Sequence, residues 1–431
     1  MTYYSLNKKA PNTSFKEAVI RGIAPDKGLY FPKLITPLPA SFFKNIDALS
    51  YEEIAFETIK QFVSPDIPED VLKTIIAETL SFDFPVVEIN EKVSTLELFH
   101  GPTMAFKDVG ARFMARCLAY FNQNNTKEVT VLVATSGDTG GAVAHGFLGV
   151  KGVKVVILYP SGKVSDIQEK QLTTLKQNIT ALEVDGVFDD CQEMVKRAFL
   201  DEELTSKMQL TSANSINVAR WLPQMFYFFF AYKQLHKMHE DIVFSVPSGN
   251  FGNICAGIMA QQLGLPIHHF VASNNENNVV TEYLSTKLYQ PKPSVQTISN
   301  AMDVGNPSNF IRIQEIYKNN FEDLKSNLSS YSFSDNDTRE ALKELYESFG
   351  YVSDPHGAVG YLGCKAYLKD NQNVHCVFLE TAHPTKFLDV VEDVIKKTIE
   401  LPSQIKAVMD KEKESIEIST YDELKAFLLT R

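Results

Sequence analysis

Six runs of aliphatic and β-branched residues recur from residue 129 onward, most of them followed by a helical pattern. "VTVLVA" (129–134) leads through Gly-rich "TSGDTGG" into "AVAHGFLG", and "VKVVILYP" (153–160) precedes "DIQEKQLTTLK". "ITALEVDG" precedes the single predicted helix "DDCQEMVKRAFLDEEL". "DIVFSVP" (241–247) leads through "SGNFGN" into "ICAGIMAQQLG", while "IHHFVAS" and "HCVFLETAH" (375–383) read as further strands. Repeated βα units bury such strands in parallel sheets covered on both faces, so the chain is α/β. Residues 242–275 carry no Asp, Glu, Lys or Arg, yet Pro, Gly, Asn and a Gln pair interrupt them. They read as the buried centre of a sheet rather than a membrane span, and "MFYFFFAY" from Met225 is too short to cross a bilayer.

The remainder bounds the function. The 431 residues suffice for two or three domains. A net charge of −11 argues against general nucleic-acid binding. The five scattered cysteines, with no Cys-x-x-Cys pair, fit a reducing, cytoplasmic setting and no zinc-cysteine site. No HExxH or paired-ligand histidine spacing occurs, so no catalytic metal is expected; His268-His269 reads as structural. The start lacks an apolar targeting segment. "YEEIAFETIKQFV" is helical, the Asn-rich region 285–345 is expected to form loops and surface helices, and the Glu/Lys-rich tail to be a solvated helical end.

The chemistry concentrates where strands meet helices. In "VLVATSGDTGGAVAHG" and "VFSVPSGNFGNICAG" small residues follow a strand and open a helix. Unpaired N–H groups at the positive end of the helix dipole can hold an anion, though a plain βα turn favours the same residues. Neither loop is a Walker A or GxGxxG motif. "FHGPTMAFKD" (99–108) places Lys107 after an apolar run. A lysine in such surroundings loses its proton readily and becomes a nucleophile, the group that pyridoxal 5′-phosphate (PLP) requires beside a phosphate cradle. The alternative is a solvated pair with Asp108.

From about residue 3 to 400 the chain resembles the threonine synthase family, in its longer bacterial and fungal form. "FKEAVIRGIAPDKGLYFP", "LELFHGPTMAFKDVGARFM", "ATSGDTGGAVAHGF", "SANSINVARWLPQ", "VPSGNFGNICAG", "NAMDVGNPSN", "DPHGAVGY" and "TAHPTKF" match it in order. The resemblance implies the tryptophan-synthase-β-like fold, two parallel-sheet α/β domains with the cofactor between them and an N-terminal extension. The expected divisions are 1–95, 96–215 and 216–431. It implies a Schiff base on Lys107 and a phosphate cradle at Gly249, Asn250, Phe251 and Gly252, with Ser248 or Asn253 at the rim. Thr381 would face the pyridine nitrogen, and Asp138 would lie near the ring hydroxyl in an open protonation state. Thr135, Ser136, Gly137 and Thr139 would receive the substrate carboxylate; Asn214, Ser215 and Arg220 its phosphate. Lys163 has no assigned role. The implied activity is that of a carbon–oxygen lyase on O-phospho-L-homoserine, acting as a monomer or homodimer. The rivals are a threonine or serine dehydratase-like lyase and a silent binder of phosphorylated ligands; "NSINVAR" and the long N-terminal region disfavour the first, Lys107 the second.

Overall fold

The aliphatic runs that dominate the sequence become the centres of two parallel sheets. The computed structural model describes residues 1–123 and 128–430. One sheet has six strands in the order Leu328–Ser332, His269–Asn274, Ile242–Pro247, His375–Glu380, Val93–Glu97 and Val86–Asn90. Its neighbours pair in parallel except the last two, which are antiparallel. The other sheet has five strands, all neighbours parallel, in the order Ile416–Ile418, Ile179–Val184, Val153–Pro160, Val129–Ala134 and Gln209–Ser212. The strands Ile242–Pro247 and Val129–Ala134 are buried at every residue, as a sheet covered on both faces requires.

The N-terminal region is built differently. Strands Thr13–Ser14, Thr2–Ser5 and Tyr30–Pro32 form a small antiparallel sheet. The helix Tyr51–Val63 starts at a capping box in which Ser50 and Glu53 satisfy each other's backbone N–H groups. It buries Ile54, Ile59 and Phe62 along one stripe. The aromatic run from Met225 lies in the helix Phe226–Leu235, with Phe226 to Phe230 fully buried. Among the described residues no helix is long and apolar enough to cross a membrane.

Three expectations need correction. The helical stretch from residue 189 is two helices, Phe188–Leu200 and Glu202–Lys207, because Asp201 leaves helical geometry and its carboxylate caps the second. The polar region 285–345 also supplies the edge strand Leu328–Ser332. The charged tail adds the strand Ile416–Ile418 and the helix Tyr421–Leu429, which buries Tyr421, Leu424 and Leu428.

Candidate active site

Lys107 opens the helix Lys107–Asn122, and the segment just past the strand His375–Glu380 fixes where it opens. The Phe106 N–H donates to the Thr381 carbonyl at 2.9 Å, Ala105 bridges Ala382, and the Tyr227 hydroxyl holds the Phe106 carbonyl. Asp108 is no partner of Lys107. Its carboxylate turns back to the Thr103 backbone N–H (2.9 Å) and hydroxyl (2.5 Å), closing the Gly101-Pro102-Thr103 turn. The Lys107 amine sits 5.6 Å from the Phe106 ring centre. Burial lowers its pKa to about 8, the Asp138 carboxylate partly opposing the shift.

A single cleft collects most of the residues singled out above. Lys107, Thr135, Ser136, Thr139, Asn214, Ser215, Arg220, Gly249, Asn250, Phe251, Gly252, Asn253 and Thr381 all line it. Three do not. Ser248 is fully buried beneath the loop, its hydroxyl donating to the Val246 carbonyl at 2.8 Å, so it is not at the rim. Gly137 (φ 142°) and Asp138, where the first loop enters its helix, do not line the cleft. That loop is tied by the Thr135 hydroxyl, which accepts from the N–H groups of Gly137 (3.0 Å) and Gly140 (2.8 Å).

The second loop is a cradle with no room for side chains. A Cβ on Gly249 would stand 2.7 Å from the Cα of Met302, and one on Gly252 would stand 3.2 Å from the Cβ of Ser215. Phe251 adopts φ 60°, turning the chain into the helix Gly252–Gln262. The first N–H groups of that helix have no partner in its own turns. Asn253 uses its amide on the Pro247 carbonyl at 2.8 Å, closing the loop on itself.

Arg220 is 2% exposed, and its Nε has no hydrogen-bond acceptor. The carboxylate whose charge reaches it is Asp108, already bonded to Thr103. Burial lowers its pKa to about 10, which leaves it fully charged at neutral pH. The adjoining wall is braced by Arg312. Its guanidinium stacks over Trp221 at 4.3 Å and donates to the carbonyls of Ser215 (3.1 Å), Ile216 (2.6 Å) and Tyr30 (3.1 Å).

The open question about Asp138 has a geometric answer. Its Oδ1 accepts from Lys386 Nζ at 2.6 Å and from Gln168 Nε2 at 3.0 Å. Burial alone would raise its pKa, but the ammonium charges of Lys386 and Lys107 and these hydrogen bonds outweigh it. Asp138 is therefore an anion. Lys386 and the 300–304 segment, which lines the cleft with His356, had no assigned role in the sequence, although "TAHPTKF", "NAMDVGNPSN" and "DPHGAVGY" contain them. The signal lay in those motifs, without the contact that explains it.

The residues present fit PLP: a lysine with a depressed pKa, a glycine cradle that any Cβ would fill, and a buried guanidinium with a free donor. Residues 88–380 match the family of pyridoxal-phosphate dependent enzymes. Residues 2–80 match the threonine synthase N terminus and 357–428 the threonine synthase C-terminal family. The threonine synthase of Buchnera aphidicola subsp. Baizongia pistaciae is 44% identical over 94% of each chain. The crystal structure of threonine synthase from Escherichia coli covers 100% of both chains with a TM-score of 0.93 at 39% identity. The PLP-bound threonine synthase of Brucella melitensis covers 99% of this chain and 98% of its own, with a TM-score of 0.92 at 31% identity. The matches favour this family over the dehydratase-like and silent alternatives, and its cofactor is PLP. Since they run from residue 2 to residue 428, the chain belongs to the threonine synthase family of PLP-dependent lyases.

Proposed function

We propose that this chain converts O-phospho-L-homoserine and water to L-threonine and phosphate, with Lys107 as its proton carrier and Arg220 as the reader of the leaving phosphate. The observation that carries the assignment is a buried guanidinium, its Nε without an acceptor among the described residues, lining the same cleft as a lysine of pKa about 8. PLP, when bound, withdraws electrons from the substrate and so acidifies its C–H bonds. The protein's part is positioning and proton movement. The 249–252 cradle and the helix behind it would hold the cofactor phosphate, and Thr381 would stand at the ring nitrogen, a neutral hydroxyl in place of a charge. Ser136 and Thr139 would orient the substrate carboxylate. Asn214, Ser215 and Arg220 would take its phosphate, Arg220 through the planar fork that suits a phosphoester.

Lys107 is released when substrate takes its place, and an amine of this pKa both accepts and returns a proton near neutral pH. It would remove the protons at Cα and Cβ, deliver one to Cγ once phosphate has left and, after water adds at Cβ and gives its proton to the phosphate, return one to Cα. Five free cysteines, all buried, agree with a cytoplasmic site of action.

The test is purified protein with O-phosphohomoserine, following phosphate and identifying threonine as co-product. Ammonia and a 2-oxo acid without phosphate would instead assign a dehydratase. Arg220→Ala should lower kcat/KM about ten- to a hundredfold while PLP still binds, since a charge-assisted bond to phosphate is worth about 1.5–3 kcal/mol. Arg220→Lys should restore only part of that.

A further inference from the structure

Behind the cleft wall lies a cluster of acidic groups that the reaction above does not use. Glu380 ends the strand His375–Glu380, one residue before Thr381, and Asp354 caps the helix Pro355–Leu368, whose second residue is His356. Glu380 and Asp354 are each 0% exposed. The two adjoin through the Asp354 backbone, and the charge of each carboxyl bears on the other. Glu380 also accepts from the Ser353 hydroxyl at 2.8 Å and the Asp354 N–H at 2.5 Å. Asp354 Oδ1 takes His356 Nδ1 at 2.5 Å and the His356 N–H at 2.7 Å, whereas Asp354 Oδ2 has no donor at all. On its far side, His356 Nε2 accepts the Ala301 N–H at 3.2 Å. Ala301 belongs to the 300–304 segment against which Gly249 of the cradle packs.

These contacts leave one consistent placement of protons. Because Nε2 is an acceptor, the His356 proton sits on Nδ1 and points at Asp354. His356 is then neutral and cannot balance two carboxylates. No lysine or arginine pairs with Asp354 among the described residues. The other titratable groups around the cluster are Tyr351 and Glu97 on one side, His383 and Lys386 beyond, and Asp303 facing His356. Two adjoining buried carboxylates cannot both be ionised, and the orphaned Asp354 Oδ2 is the acceptor that a carboxylic acid would satisfy.

We propose that Glu380 is a protonated carboxylic acid donating to Asp354 Oδ2, and that this shared proton makes Glu380 a positioning residue for the cofactor cradle through Asp354, His356 and Ala301. Burial and the neighbouring Asp354 charge both push the Glu380 carboxyl well above the usual range. Gly357 supports the placement sterically: a Cβ there would lie 1.8 Å from Glu380 Oε2, so the helix start is fitted around the acid. The relay reaches the cofactor from two directions, through Thr381 next in sequence and through the 300–304 segment that walls the cradle. The proposal rests on the family reading for what the cradle holds, but its spectroscopic test is independent of turnover.

The primary experiment is isotope-edited infrared spectroscopy of the wild-type holoenzyme at pH 7.5 with 13C-labelled glutamate. A protonated carboxylic-acid carbonyl band that shifts with the label is expected; its absence would overturn the proposal whatever the activity. The second experiment titrates PLP into cofactor-free variants. Glu380→Ala, which orphans Asp354 Oδ2, should weaken PLP binding about ten- to a hundredfold. Glu380→Gln, which keeps a neutral donor, should recover most of that loss and carry no labelled acid band. A glutamine variant as impaired as the alanine one would show that the proton is not what Glu380 contributes. Should Glu380→Ala fail to fold, the wild-type band alone decides. Failure of phosphate release with the band present would instead sink the catalytic reading and leave the acid pair standing.

Discussion

Lys107 and Lys386 both face the charge of Asp138 and meet opposite fates. Lys386 is paired with Asp138, 2.6 Å away, whereas Lys107 has no such partner and loses affinity for its proton. In the cofactor-free protein, the folded-state pKa of Lys107, about 8, lies below the ordinary 10.5. Between those values the unfolded chain binds a proton that the folded one does not, so this group makes stability rise with pH from about 8 to 10.5. Replacing it with an uncharged chain of similar length, Lys107→Met, should therefore stabilise the apo-protein at pH 7 by about 1–3 kcal/mol, a figure discounted for partial exposure to the cleft. The gain should fade as pH rises from about 8 to 10.5, as read by urea unfolding at several pH values. The same variant should lose the visible, borohydride-reducible band of the holoenzyme; a reducible band that persists would place the covalent linkage on another lysine. Lys386→Met makes the opposite prediction. It strands the Asp138 anion in the interior and should cost about 3–5 kcal/mol, much of which Asp138→Asn in the same chain should return. A cost below about 1 kcal/mol would mean that water or Gln168 carries the charge instead.

At the scale of elements, the two strand–loop–helix junctions form the glycine-rich part of the cleft, and they were the legible part. Each is contiguous in sequence, so the reason for a glycine and the site it makes fall within a few residues. The cradle can be tested on its crowding. Gly249→Ala pushes a Cβ to 2.7 Å from the main chain of Met302, which cannot yield without moving the whole 300–304 segment. Gly252→Ala meets a side-chain carbon at 3.2 Å, a contact that relaxes more easily. Gly249→Ala should thus weaken PLP binding by an order of magnitude or more, and Gly252→Ala by much less; Gly252→Val, with its branch, should approach the first. Equal affinities in the two alanine variants would show that backbone crowding does not shape the site. What could not be read follows a physical pattern. Gln209–Ser212, Leu328–Ser332 and Ile416–Ile418 are edge strands, short and mixed in polarity, and a strand with one neighbour needs no aliphatic run. Val93–Glu97 is interior but buries Ser94 and Thr95, which broke the pattern. Lys386 reaches Asp138 across 248 residues, and Arg312 reaches Tyr30 across 282, separations at which a single sequence carries no pairing signal.

At the scale of the whole molecule, the chain's ends are built into its middle. The five-stranded sheet takes four strands from residues 129–212 and its last from the tail. Ile416–Ile418 pairs with Ile179–Val184 in register, and the Asp185 N–H donates to the Ile418 carbonyl at 3.0 Å. Tyr421, Leu424 and Leu428 then pack with Val184, Cys191, Val195 and Ala198, closing a core separate from the main one. Lys413 ties the approach to this strand, reaching Glu183 at 2.7 Å and Glu169 at 2.6 Å. A solvated tail would be dispensable; this one covers one face of the sheet whose loop end supplies Thr135, Ser136 and Thr139. Each buried leucine or isoleucine is worth about 1.5–3 kcal/mol, so removing residues 415–431 should cost several kcal/mol, comparable with the total stability of a domain. The loss should be local. Limited proteolysis of the truncated protein should cut within 179–207, where the helix Phe188–Leu200 loses its cover, before it cuts the six-stranded sheet. PLP, which the proposed reading puts on the 249–252 loop of the other sheet, should still bind, but with the 135–139 loop loosened KM should rise more than kcat falls. Leu424→Ala supplies a milder form of the same lesion, about 2–5 kcal/mol for a fully buried leucine, with cleavage in the same place. If the truncated chain keeps its unfolding midpoint and its resistance to protease, the tail is an appendage after all, and the 416–418 pairing contributes nothing to the sheet it edges.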